Sequence, residues 1–233
     1  MNNNINNNMN SNINSNIKLN IILFFGLPGA GKSTLGNLIE EKLKIKYVSV
    51  GEIYRNIEND IVRTYDDSIK FLLNSVEANM YIPDDYNQNY IIIDGLKIHN
   101  NIQKNFFKVL MNTYNISNIF FFNFVDLNVY LNMSIEDDLY IEHFNLLKNR
   151  LINRNRINEN INIIEKRINI NFDRFKKIII FINNINNNIS KYDKKNKKNG
   201  LTKEYNKPIN ILTLNTLDSL YNNYNIFKTQ LNM

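Results

Sequence analysis

Cysteine and tryptophan are absent from the 233 residues, and histidine occurs only as His99 and His143. Without cysteine the chain forms no disulfide, offers no thiolate to a metal and has no thiol nucleophile, so nothing in it calls for an oxidising compartment. Two histidines are too few for a zinc cluster. Apolar runs such as IILFF (21–25) and IFFFNFV (119–125) are far shorter than the ~20 residues that span a bilayer. Glycine and proline are scarce, at seven and three, so the places where glycines gather mark demands on backbone geometry.

What is abundant is Asn and Ile. Long Asn tracts cannot bury enough apolar surface to offset the entropy of ordering them. Residues 1–19 therefore read as a disordered Asn-rich leader, and about 183–207 as a Lys/Asn-rich insertion. The leader has neither the apolar core of a secretion signal nor the Arg-rich pattern of a mitochondrial one, which leaves the cytoplasm as the expected location. The net charge of +6 is partly spent in KYDKKNKKNG at 191–200. That stretch reads as a solvated loop rather than a nucleic-acid surface, because no base-stacking motif accompanies it. No nucleic acid and no membrane partner is expected. The length and an apolar fraction of 43% fit one domain, placed at 20–228.

Along that domain apolar strands alternate with amphipathic helices. Strands are expected at 21–25, 47–50, 90–93, 119–125 and 209–214, and helices at 32–43, 51–56, 66–80 and 103–114. A further helix, capped by Ser134, runs to about Arg150, and a long one covers about 158–182. The stripe Ile157, Ile161, Ile164, Ile168, Phe172, Phe175 and Ile179 steps by three and four and so faces the core. A closing helix takes 218–227. This order predicts a three-layer α/β fold: a mainly parallel five-stranded sheet with helices on both faces and ligands at the carboxyl ends of the strands.

The chemistry centres on GLPGAGKST, where Gly26, four residues, Gly31, Lys32 and Ser33 complete a phosphate-binding loop between a strand and a helix. Glycines let backbone N–H groups turn toward phosphate oxygens, Lys32 reaches the β and γ phosphates, and Ser33 can ligate magnesium. Asp94 ends a buried strand, where a carboxylate holds the magnesium shell directly or through water. This pair specifies a P-loop phosphotransferase or NTPase and no more. Arg154, Arg156 and Arg167 are candidate clamps for charge on a phosphoryl group in transfer. Arg156 and Arg167 lie eleven positions apart, about three helical turns, so one helix could aim both at one ligand or carry both on its wet face.

Several segments, in order along most of 21–228, resemble the adenylate kinase family of nucleoside monophosphate kinases. GLPGAGKST is similar to its GxPGxGKGT loop, YVSVGEIYR (47–55) to ISTGDxLR, ANMYIPDD (78–85) to GxLVPDE, and YIIIDG (90–95) to FLLDGFPR. RINENINIIEKRI (156–168) resembles RxDDNEExxxKRL, and INILTLNTLDSLYNNY (209–224) the closing strand and helix. The resemblance implies a P-loop NTPase fold with two short excursions, an NMP-binding one at about 50–85 and a lid at about 127–156. It implies reversible transfer of a γ-phosphoryl group from ATP or GTP to AMP or another nucleoside monophosphate, with Mg2+; a monomer is expected, although the sequence leaves the oligomeric state open. Gly29, Ala30, Gly31, Lys32, Ser33 and Thr34 would cradle the donor. Arg55 would grip the acceptor phosphate, Met80, Tyr81 and Ile82 would line its base and ribose, and Gln103 would read the base. Gly95 and Lys97 would border the acceptor, while Arg156 and Arg167 span both substrates.

The chain departs from the family at instructive places. The acceptor-gripping arginine after Asp-Gly is missing, and DGLKIHN offers Lys97, a point charge in place of a fork. Val50 replaces a hydroxyl residue. In one lid register the two lid arginines fall on Met133 and Asp137. In the preferred one NVYLNMSIEDD (128–138) is an insertion and Arg150 takes the second role. These changes keep two other readings open: another small P-loop kinase or ATPase, and a degenerate kinase that binds nucleotide without efficient turnover.

Overall fold

Five apolar runs become five parallel strands in the computed structural model, which describes residues 19–56, 74–98, 101–154, 159–198 and 209–233, with the backbone alone at 54–56, 102 and 190–198. The strands are β1 (Asn20–Gly26), β2 (Lys46–Ser49), β3 (Tyr90–Asp94), β4 (Asn115–Asn123) and β5 (Asn210–Asn215). They lie in the order β2-β3-β1-β4-β5, and every pair is parallel. β1 is central, and Ile21 to Phe25 are all buried. A strand covered on both faces needs such an unbroken apolar run rather than alternation.

Helices α1 (Lys32–Leu43), α2 (Val50–Asn56), α3 (Asn101–Thr113), α4 (Leu127–Asn132), α5 (Asp138–Ile152), α6 (Ile161–Lys198) and α7 (Leu220–Gln230) connect the strands, with a helical stretch at 74–78. Adjacent residues of β1 show how they form two outer layers, because successive side chains on a strand point to opposite faces. Phe24 meets Phe120 edge-on at 5.8 Å and Phe227 of α7 at 5.9 Å. Phe25 stacks on Phe121 at 5.8 Å, and Phe121 in turn meets Phe175 of α6 at 5.6 Å. Helix α3 joins the second layer through Phe107 against Phe181 of α6, at 5.7 Å. The three-layer α/β fold expected from the alternation is therefore present.

Several boundaries differ from expectation, each for a packing reason. β4 begins at Asn115, because Asn115 and Ile116 already pair with Asn20 and Ile21 before the register shifts. The helix expected from Ser134 is two helices. Ser134 lies in the turn between them, its N–H donating to Asp137 Oδ2 at 2.8 Å, and Asp137 is the N-cap of α5. Helix α6 starts later than 158 and continues to Lys198, so the Lys/Asn stretch expected as a loop from 183 is helical over most of its length. The core stripe holds from Ile164 through Ile168, Phe172, Phe175 and Ile179 to Ile182, whereas Ile161 is 53% exposed. Ile157 and the rest of the insertion at 199–207 lie outside the described residues, as do the leader at 1–18 and positions 57–73 of the expected NMP-binding excursion. Within the expected lid, α4 and α5 pack on α6 through Tyr130, which touches Phe172 and Phe175, and Tyr140, which touches Phe172. No helix among the described residues is long and apolar enough to cross a membrane.

The exposure difference along α6 gives a direct test. Ile168→Ala should cost ~2–5 kcal/mol in chemical denaturation, while Ile161→Ala should change stability by no more than ~0.5 kcal/mol. Equal losses would refute this rotation of the helix.

Candidate active site

The site forms where β1 and β3 end side by side. Their register pairs Phe24 with Asp94, and Gly95 N–H donates to Phe24 O at 3.4 Å. From that edge β1 runs into the phosphate loop and α1. Gly31 caps α1 with φ 92, a conformation that side chains with a Cβ rarely adopt. No side chain caps the helix and no acid stands in its first turn, so its terminal N–H groups and positive end remain available to an anion.

Lys32 and Asp94 form the polar centre. Lys32 Nζ donates to Gly26 O and Leu27 O, both at 3.0 Å, and lies 3.9 Å from Asp94 Oδ1. Burial lowers the pKa of Lys32; Asp94 opposes this, and Arg154 and Arg167 add to it. Asp94 is 4% exposed and its Oδ2 accepts from Ser33 Oγ at 3.2 Å and Tyr47 Oη at 2.8 Å. Its Oδ1 has no hydrogen-bond partner. A serine hydroxyl beside a carboxylate oxygen left unbonded is a hard-oxygen donor set. It suits a Mg2+ ion that takes one or two protein ligands and completes its shell with phosphates and water. Among the described residues no group of three His, Asp or Glu side chains could cage a metal without such help.

The loop and Asp94 open into a cavity of about 590 Å³ whose far wall is α6. Six cationic and two anionic side chains line it among the described residues. The cations are Lys32, Lys97, Arg154, Lys166, Arg167 and Arg174. Arg167 Nη1 is held by Glu159 Oε1. Four of the six cations, Lys32, Arg154, Arg167 and Arg174, are half-buried, and such a surplus of positive charge is costly without a counter-charge, which favours an anionic occupant.

The residues expected from sequence divide as follows. Gly29, Ala30, Gly31, Lys32, Ser33, Asp94, Gly95, Lys97 and Arg167 line the cavity, joined by Val50. Thr34 is exposed on α1. Arg150 is not among the lining residues; its Nη2 donates to Thr216 O at 2.8 Å, bracing the turn after β5. Met80 is buried, Ile82 is partly buried against the core, Tyr81 is 73% exposed and Gln103 is buried on α3; none of the four lines the cavity among the described residues. The Arg55 side chain and all of Arg156 lie outside the described residues.

Tyr47, Lys166 and Arg174 were not singled out in the sequence, and Arg154 was weighed without an assigned role. Arg174 follows Arg167 by seven positions, about two helical turns, which a search for same-face cations would have found. Tyr47 had a fainter signal in Gly36, a glycine inside an otherwise ordinary helix. A Cβ at Gly36 would stand 2.3 Å from Tyr47 Cε2, so only glycine admits the ring whose hydroxyl reaches Asp94. Burial first, then the charge of Asp94, raises the pKa of Tyr47, which keeps the phenol protonated as a donor.

A second polar cluster sits at the ends of β4 and β5. His143 is 2% exposed, stacks on Phe124 at 3.5 Å, and has Nε2 3.2 Å from Thr216 Oγ1. Burial, with Arg150 nearby, lowers its pKa to about 3, so the imidazole is neutral.

Known proteins match parts of this chain. The AAA domain family matches residues 25–133. Adenylate kinase of Rickettsia bellii (strain RML369-C) is 32% identical over 85 residues, which are 32% of this chain and 40% of that enzyme. Cytidylate kinase of Clostridium botulinum (strain Loch Maree / Type A3) is 36% identical over 75 residues, 30% of this chain and 32% of the enzyme. The chain thus spans less than half the length of these curated relatives. An unliganded sugar kinase from Janibacter sp. HTCC2649 overlays 92% of this chain and 95% of its own at 10% identity and a TM-score of 0.45. The matched part of the chain is similar to the adenylate kinase-like nucleoside monophosphate kinases.

Two stability measurements probe this geometry. Gly36→Ala should lose ~1–3 kcal/mol to overpacking against Tyr47, outweighing the up to ~1 kcal/mol that alanine contributes to a helix; unchanged denaturant stability would contradict the contact. His143 binds its proton near pH 6.5 when unfolded and near 3 when folded. The unfolded state therefore holds more protons between those values, and stability falls as pH drops below 6.5, by at most ~1.4 kcal/mol per unit. Thermal unfolding between pH 7 and 5 should show a smaller decline in His143→Gln than in the native chain.

Proposed function

We propose that this chain is a nucleoside monophosphate kinase of the adenylate kinase type, transferring the γ-phosphoryl group of ATP or GTP to AMP. The observation that carries this reading is the arrangement of one cavity. One end is the phosphate loop with Lys32 and Ser33 beside Asp94, the α6 wall presents Arg167 and Arg174, and Arg154 lines the same cavity. A hydrolytic switch needs a place for water, whereas a cavity of about 590 Å³ lined by cations on two sides has room for a second phosphorylated substrate. The similarity to adenylate and cytidylate kinases supports the same class.

In the proposed reaction an oxygen of the acceptor's phosphate attacks the γ-phosphorus in line. The bond from that phosphorus to the β–γ bridging oxygen breaks, and two nucleoside diphosphates result. Little covalent chemistry falls to the protein in such a transfer; positioning and charge neutralisation dominate. The N–H groups of the loop and of α1 would hold the donor phosphates. Lys32 would exchange its contacts with Gly26 O and Leu27 O for phosphate oxygens and move with the transferred group. Arg167, kept in place by Glu159, would face the charge spread over the equatorial oxygens, and Arg154 would approach from the lid side. Mg2+, when bound through Ser33 and Asp94, would offset the charge of the β and γ phosphates. Tyr47 donates to Asp94 Oδ2, which would leave Oδ1 to the ion.

A coupled assay of AMP, GMP, CMP and UMP with ATP or GTP tests the proposal, and at least one pair should turn over. Lys32→Ala should reduce transfer by at least ~100-fold, the scale on which a preorganised contact to developing charge is worth, with its circular dichroism and melting cooperativity preserved. No turnover with any pair would overturn the reading, and orthophosphate release that needs no acceptor would replace it with an ATPase.

A further inference from the structure

The cations of the cavity divide by the lysine they act on. Lys32 is influenced by Arg154 and Arg167, whereas Lys97 has its pKa lowered by burial, then by Arg174 and Arg167. Charge–charge effects weaken with distance. Lys97, Arg167 and Arg174 line one cavity, and both arginines act on Lys97. Helix geometry agrees. Arg167 and Arg174 are two turns apart, ~10 Å along the axis, on one face of α6, and Asn171 lies between them on the cavity wall.

Arg174 differs from Arg167 in its pairing. Arg167 is tied to Glu159, while Arg174 is half-buried and has no ion pair among the described residues. Its neighbour Asp173 is exposed and acts on Tyr130 and Tyr140, on the side of α6 turned to α4 and α5. An arginine with these surroundings presents a planar set of donors to whatever enters beside Lys97.

Resting on the nucleoside monophosphate kinase reading, we propose that Arg174 and Lys97 together bind the phosphate of the acceptor, Arg174 supplying the bidentate fork that Lys97 lacks. A nucleotide monophosphate carries close to two negative charges at neutral pH. Two cations neutralise it, and the guanidinium matches the spacing of two phosphate oxygens, which an ammonium does not. The fork is thus carried by α6 rather than by the segment after Asp94 and Gly95.

The test uses the full chain, with calorimetric titration of AMP, adenosine and ATP, and steady-state kinetics in both substrates. Arg174→Met keeps the apolar stem that packs on the helix and removes the fork. It should weaken AMP binding and raise the acceptor KM tenfold or more, with adenosine binding and ATP affinity within twofold of the native chain. Arg174→Lys should recover part of the loss. AMP affinity unchanged in Arg174→Met, or equal losses for ATP and AMP, would overturn the assignment while leaving the kinase reading intact. A native chain that neither binds nor phosphorylates any nucleoside monophosphate would remove the kinase reading and this inference with it.

Discussion

The pairing of Phe24 with Asp94 across the β1–β3 ladder is the constraint on which the site depends. Because all five strands are parallel, their carboxyl ends lie on one edge of the sheet, and that edge is where β1 turns into the phosphate loop. A slip of one residue would send the Asp94 side chain to the other face. With the register as it is, a single carboxylate serves several partners at once. Its Oδ2 accepts from Ser33 and Tyr47, and its Oδ1 faces Lys32. The packing of Tyr47 into the notch at Gly36 links α1, β2 and β3 to this one group.

Charge explains the opposite wall. Six cations line one cavity, and desolvation first, then repulsion from Arg154 and Arg167 at Lys32 and from Arg174 and Arg167 at Lys97, lowers the pKa values of the two lysines. The folded chain tolerates this because its hydrophobic layers are extensive: α6 is bound into the core through Phe172, Phe175 and Ile179, and Phe175 also reaches the cavity wall. The apolar stripe and the row of Arg167 and Arg174 are neighbouring faces of one helix, so the element that stabilises the fold also orients these two arginines.

The layered fold was largely legible from sequence because its signals are local. An unbroken apolar strand, a glycine loop and a helix with apolar residues at spacings of three and four each depend on near neighbours. The boundaries that moved were set by distant partners. β4 starts at Asn115 because Asn20 pairs there, and Asp137 rather than Ser134 caps α5 because α4 already ends the preceding turn. Composition misled in one place. The Lys/Asn stretch after 183 has little apolar content, yet it continues as helix from the long helical segment before it, since propagation is easier than nucleation.

For the site, the sequence by itself determined the phosphate loop, the strand-end Asp94 and the presence of Arg167 on a core-facing helix, because each is defined by residue type and spacing within one segment. It could not say which cations share a cavity. Arg150 turned out to brace Thr216, and Arg154 and Arg174 came to line the pocket, because those outcomes depend on the rotation of α5 and α6 about their axes against the sheet. Only tertiary packing sets that rotation, and with it which charges face one another across a ligand.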